Sequence, residues 1–175
     1  VAIDVMCAHA GHGLIDHCVV VCPLMVARVW AREVEANATM PFTVTKVGAK
    51  FLPPVAKAGT LNWVLVGVES LSQGYAAKKL YDWLATCSYA MVVDESSRIK
   101  NPKAIRTKCV LAMGPRAKAR LILTGTPVTR SLMDLFSQYE FLDTNIIGVG
   151  DFYAFRNRYA IMGGYKNKQV IGYDN

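Results

Sequence analysis

Residues 89–102 read YAMVVDESSRIKNP, an apolar run that ends abruptly in the carboxylate pair Asp94-Glu95. Two adjacent like charges beside a buried segment repel one another and desolvate poorly, so their presence calls for a partner outside the stretch. The run itself is short and almost continuously hydrophobic, the pattern of a strand covered on both faces. Four further runs have the same character: CVVVC (18–22), FTVTKV (42–47), NWVLVGV (62–68) and ARLILT (119–124). Helical patterns alternate with them at 24–37, 74–86, 102–113 and 131–143. In the last of these Leu132, Leu135, Phe136, Tyr139 and Leu142 share one helical face. Asn101-Pro102 and Ser131 are expected to start helices. This β-α order predicts an α/β fold, an open and mostly parallel sheet with helices on both faces, in one domain without linker or repeat. The segment from Asp151 onward is aromatic and basic, ends in glycine-rich turns, and shows no closing element.

Composition narrows the function classes. The chain has 175 residues, 53% of them hydrophobic and 19% charged, which fits one globular domain and excludes disorder. Its longest apolar stretch, Cys18 to Ala27, is about half of what a membrane helix needs, so a soluble protein with no membrane partner is expected. Five cysteines in apolar settings suit reduced, buried thiols of a cytoplasmic protein better than a disulfide framework. The cluster Cys7, His9, His12, His17, Cys18 and Cys22 lacks the tight ligand pairs of a zinc site, and a helix, turn and buried strand explain it. A net charge of +7 favours an anionic partner, nucleic acid first.

In parallel α/β sheets ligands gather at the carboxyl ends of the strands, where Asp94 and Glu95 are expected to stand. An apolar strand that ends in such a pair is how P-loop nucleotide hydrolases hold magnesium and orient water. The plainer alternative is that Asp94 caps a helix and Glu95 is solvated. ARLILTGTPVTRS repeats the design, a strand running out into Thr124-Gly125-Thr126-Pro127. An ordinary Gly-Thr-Pro turn would explain that stretch alone. Together the two turns would share one edge of the sheet, with the threonine hydroxyls able to bond the acids or nucleic acid. Basic residues follow in SRIKNPKAIRTK, including Arg98 and Lys100, and in GPRAKAR; Arg28 and Arg32 lie a turn apart earlier. Each group is either a solvated helix face or a set of phosphate contacts. Phe152, Tyr153, Phe155 and Tyr159 would either stack on bases or pack a core.

MVVDESSRIKNP followed by LILTGTPVTRSLMDLFSQYEFLD resembles motifs II and III of superfamily-two helicases, closest to the Snf-type branch of double-stranded DNA translocases, bacterial and phage members included. VVVCPLMVARVWAREVE is similar to motif Ia of that branch, and WVLVGVESLSQG to the strand before motif II, whose loop lies along the DNA. The resemblance covers residues from about 18 to 160. It implies a RecA-like first motor domain of P-loop NTPase type, with ATP and Mg2+ as cofactors and DNA, double-stranded, as partner. Asp94 would organise the magnesium, Glu95 would activate the hydrolytic water, and Thr124 and Thr126 would couple nucleotide state to DNA. Arg28, Arg32, Arg98, Lys100 and Thr124 would then be nucleic-acid contacts. A bacterial or phage-infected host cytoplasm is the implied location.

Several features depart from the family pattern. No lysine precedes Lys46, so the Gly-x-x-x-x-Gly-Lys-Thr loop is absent, and VAIDVMCAHA looks like the helix that would follow it. The expectation is a fragment, residues 1–175, that begins just after its P-loop, lacks the second RecA-like domain, and is inactive on its own. Ser97 stands where many relatives have a histidine, so it can hydrogen-bond but carries no charge between motifs II and III. Two rivals stay open at this stage: a non-catalytic nucleic-acid-binding module with a decayed motor fold, and a P-loop-type enzyme of small molecules.

Overall fold

The computed structural model describes residues 1–48, 50–165 and 169–173, and of residues 74–76 the backbone alone. Five strands form one parallel sheet: β1 (His17–Cys22), β2 (Phe42–Lys46), β3 (Leu61–Gly67), β4 (Tyr89–Asp94) and β5 (Ala119–Leu123). Their order is β2-β3-β1-β4-β5. The three central strands are the valine-rich ones, since β-branched side chains are stiff and pack well on a pleated surface buried on both sides. Every residue of β1 and β3 is buried, whereas those of edge strand β5 are all half-buried.

Side chains alternate between two layers, as the two-residue strand period requires. Val19, Val21, Val64, Val66, Met91 and Val93 pack on one face against α3 (Gly74–Leu84), α4 (Ile105–Met113) and α5 (Phe136–Leu142). Cys18, Val20, Trp63, Leu65 and Val92 pack on the other, against α1 (Ala2–Gly11) and α2 (Ala27–Asn37). The near-continuous apolar runs are therefore two interleaved stripes, each serving its own layer of helices. Burial raises the thiol pKa of Cys22 in β1 to about 12, helped by the charges of Asp94 and Glu69. No helix among the described residues is long and apolar enough to cross a membrane.

Strand boundaries match the expected runs to within a residue, and α3 starts at Gly74 as expected, but the other three helix starts shift. α2 begins at Ala27 rather than residue 24, because Val26 N–H bonds the Pro23 carbonyl in a turn. Asn101-Pro102 does not start α4. The Asn101 side chain accepts from Lys103 N–H, and its carbonyl accepts from Ala104 N–H, which makes a local turn. The expected helix 131–143 divides into a 3-10 turn, Leu132–Leu135, and α5.

The tail carries a helix and a strand pair that the sequence did not show. Asp151 caps α6 (Phe152–Tyr159) through an Oδ1 bond from Ala154 N–H of 2.8 Å. β6 (Ala160–Gly163) and β7 (Gln169–Tyr173) then pair antiparallel. Met133, Phe136, Phe155 and Ala160 form a small core of their own, so Phe155 is a packing residue rather than a platform for bases. Helix and strands were hidden because each is under ten residues, too short for a clear hydrophobic period.

Candidate active site

β4 delivers Asp94 to the carboxyl end of the sheet as its last residue. The carboxylate is held on both oxygens: Oδ1 accepts from Glu95 N–H at 3.0 Å and Oδ2 from the Trp30 indole N–H at 2.8 Å. Trp30 projects from α2 and packs against Trp63 of β3, with ring centroids 6.5 Å apart. An open cleft of about 320 Å3 borders this point, and both Asp94 and the first residues of α1, Val1 to Asp4, line it. Asp4 and Glu33 line the same cleft. Glu95 is exposed and adopts φ 51°, ψ 54°. It is the one non-glycine residue with positive φ among those described. Such a backbone is strained for an L-residue and is found where function over-determines it.

Replacing Trp30 by Phe keeps an aromatic ring but removes the donor to Asp94. The half-buried Oδ2 then has no partner from α2, and a stability loss of about 1–3 kcal/mol is expected in urea unfolding. A variant as stable as the parent would show that the bond contributes nothing.

The second turn lies beside the first. Asp94 pairs in register with Leu123, so Thr124 leaves β5 next to the acids. Among the described residues neither Thr124 nor Thr126 bonds a carboxylate, however. The Thr124 hydroxyl accepts from Thr126 N–H at 3.1 Å and so shapes its own turn. The turn is instead fixed by two residues the sequence reading missed. Asp134 Oδ2 accepts from the backbone N–H of Thr129 (3.0 Å) and Arg130 (2.9 Å), from the Thr129 hydroxyl (2.7 Å) and from Lys100 Nζ (3.4 Å). Burial pushes the Asp134 carboxyl up, but these donors outweigh it and hold the group below its ordinary value. Gln138, buried in α5, accepts from the Ser96 hydroxyl at 2.6 Å and donates to the carbonyls of Pro127 (2.7 Å) and Asp134 (2.9 Å). A link between the two motifs passes through Ser96, one residue before Ser97, the position at which the sequence left such a link in doubt.

The basic residues separate into two sets. Arg28 and Arg32 stand exposed on α2 and make no ion pair or hydrogen bond among the described residues. Arg98 pairs with Glu69 at 2.8 Å, and the other oxygen of Glu69 accepts from Leu24 N–H at 3.3 Å. Lys100 is turned inward, 28% exposed, onto the Thr129 hydroxyl and Asp134. Its charge is paired with Asp134 inside the domain. Of the missed residues only Trp30 left a signal, a lone aromatic on a charged helix; Asp134 and Gln138 lie off the apolar face of Leu132, Leu135, Phe136, Tyr139 and Leu142, and the sequence did not mark them.

A parallel sheet with an acid pair at one strand end and a Thr-Gly-Thr-Pro turn at the next places side by side the two motifs whose sequences resemble those of the Snf-type branch. The sequence profile of the SNF2-related domain matches residues 5–169. The chain belongs to that family. This SNF2-related domain is 36% identical over 88 residues to the probable ATP-dependent DNA helicase CHR12 of Arabidopsis thaliana, covering 50% of the chain and 7% of the relative. It is 31% identical over 130 residues to the TATA-binding protein-associated factor mot1 of Schizosaccharomyces pombe, covering 74% of the chain and 6% of the relative. The chain thus spans less than a tenth of either relative. In fold, the SNF2-related domain matches the Sulfolobus solfataricus SWI2/SNF2 ATPase core solved in complex with dsDNA. The TM-score is 0.71 at 24% identity, over 90% of this chain and 31% of that one. The likeness makes the sheet RecA-like.

Proposed function

We propose that the chain is the first RecA-like lobe of an ATP-dependent, double-stranded DNA translocase or helicase, working with a second lobe of the same protein in the cytoplasm. The observation that carries this reading is the acid-bearing turn: Asp94 pinned by Trp30 at the edge of an open cleft, and Glu95 in a strained left-handed backbone. Among the described residues no group of three or more His, Cys, Asp or Glu is placed to hold a metal alone. Mg2+ does not need one, because it binds through one or two carboxylates and completes its shell with water and substrate phosphates. Asp94 fits that role: each oxygen accepts one bond within the domain and keeps lone-pair capacity.

Bound Mg2+ would neutralise charge on the phosphates and polarise the bond to be broken. Asp94 fixes the ion's side of the site, and Trp30 fixes Asp94. Glu95, exposed at the turn, accepts the proton of the attacking water. Thr124 and Thr126 pass the state of the site to the bound duplex. Arg28 and Arg32 neutralise backbone phosphates, which supplies affinity without sequence reading.

Duplex binding tests this reading in a protein carrying both lobes. Arg28→Ala/Arg32→Ala is expected to weaken binding roughly tenfold or more and to reduce the slope of affinity against salt by about two. Unchanged affinity and slope would remove α2 from the DNA face. Tight, salt-steep binding in the parent that ignores nucleotide altogether would favour a non-catalytic module instead.

A further inference from the structure

A glutamine deep in an apolar core is costly unless every polar atom it buries finds a partner. Gln138 is 1% exposed and Ser96, which donates to it, is 0% exposed. The amide meets the requirement by reaching in two directions. Oε1 receives the Ser96 hydroxyl from the turn that carries Asp94 and Glu95. Nε2 donates forward to the Pro127 carbonyl, which belongs to the Thr-Gly-Thr-Pro turn, and back to the Asp134 carbonyl of its own helical segment. Leucine would fill a similar volume without these obligations, so the core itself has no need of an amide here. Ser96 directly follows Glu95, and Pro127 directly follows Thr126. One rigid side chain thus bridges the residue after the catalytic acid and the residue after the second threonine.

We propose that Gln138 is the positioning residue that couples the two turns, so that a displacement of the acid-bearing turn is delivered to Thr124–Pro127. This rests on the functional reading above and adds to it a specific conveyor. Low dielectric strengthens both bonds, and the planar amide transmits a shift at one end as a shift at the other. The hydroxyl of Ser96 makes the connection without charge, so it acts identically throughout the physiological pH range.

The test uses a protein carrying both lobes and the double variant Ser96→Ala/Gln138→Leu. Removing both partners together leaves no unpaired group between Ser96 and Gln138, and the carbonyl of exposed Pro127 can turn to water, so the variant is expected to fold; a thermal melt verifies this. Duplex affinity is measured with a non-hydrolysable ATP analogue and with ADP. The parent should show a ratio between the two states of about tenfold, an ordinary coupling between sites. In the double variant the ratio should fall to within about twofold while the analogue still binds. Amide exchange at residues 124–128 should respond to the analogue in the parent and not in the variant, a readout that lost packing alone would not produce. Gln138→Glu, which keeps an acceptor for Ser96 but loses the donor to Pro127, should uncouple as well. A variant that folds and retains the parent's ratio overturns the coupling role. A parent whose duplex affinity is indifferent to nucleotide overturns the functional reading instead.

Discussion

Glu95→Gln in a protein carrying both lobes should lower ATP turnover by about 10²–10⁴-fold, the usual contribution of a general base. ATP affinity and duplex affinity should stay within a few-fold of the parent. The expectation follows from the division of labour at the end of β4. Asp94 is tied down by Trp30 and by the Glu95 amide, as a residue that fixes an ion must be. Glu95 is exposed and accepts no side-chain bond among the described residues, as a residue that must take a proton from water should be. Gln keeps the shape and removes only the basic oxygen, so the left-handed backbone at this position is equally strained in both proteins. Steady-state hydrolysis alongside nucleotide binding separates the steps. Turnover close to the parent's would remove Glu95 from the chemistry.

Asp134→Ala has the largest expected effect on stability. Four donors converge on one carboxylate oxygen: two backbone amides, the Thr129 hydroxyl and Lys100. Truncation leaves the Lys100 ammonium in a mostly buried place without its counter-charge, and removing one member of such a pair costs about 3 kcal/mol or more. A melting temperature lower by roughly 6–12 °C is expected for a domain of this size. The pH dependence carries its own signature. The folded carboxyl is held below its ordinary value, so its contribution is fully present above the unfolded pKa of about 4 and is lost as pH falls through the folded value. The stability gap between the parent and Asp134→Asn should therefore be constant near neutrality and narrow below about pH 4. A gap that does not change with pH would assign the effect to packing rather than charge.

The sheet was legible because its strands are short, β-branched and covered on both faces, which leaves few alternatives for runs such as CVVVC and NWVLVGV. The start of α3 at Gly74 was legible, but those of α2 and α4 were not, because competing local turns decide them: Pro23 to Val26 and Asn101 to Ala104 each close on themselves before the helix begins. At the site, Asp94, Glu95 and the Thr-Gly-Thr-Pro turn could be placed from the strand ends alone. The residues that hold them could not. Trp30 reaches Asp94 across 64 positions of sequence and Gln138 reaches Ser96 across 42, contacts that only the packing of α2 and α5 on the sheet creates. Lys100 taught the opposite lesson. It reads as one of a basic run, yet Asp134 draws it inward, and a charge pattern along the sequence does not record which partner lies across the fold.

The central claim is that this acid-bearing turn belongs to a nucleotide-driven DNA motor. The rate of ATP hydrolysis by a protein carrying both lobes, with and without duplex DNA and with Mg2+ present, tests it most directly. The account predicts turnover that rises at least several-fold when duplex is added, the scale of an ordinary coupling between sites. The absence of hydrolysis, or a rate that duplex leaves unchanged, would contradict it.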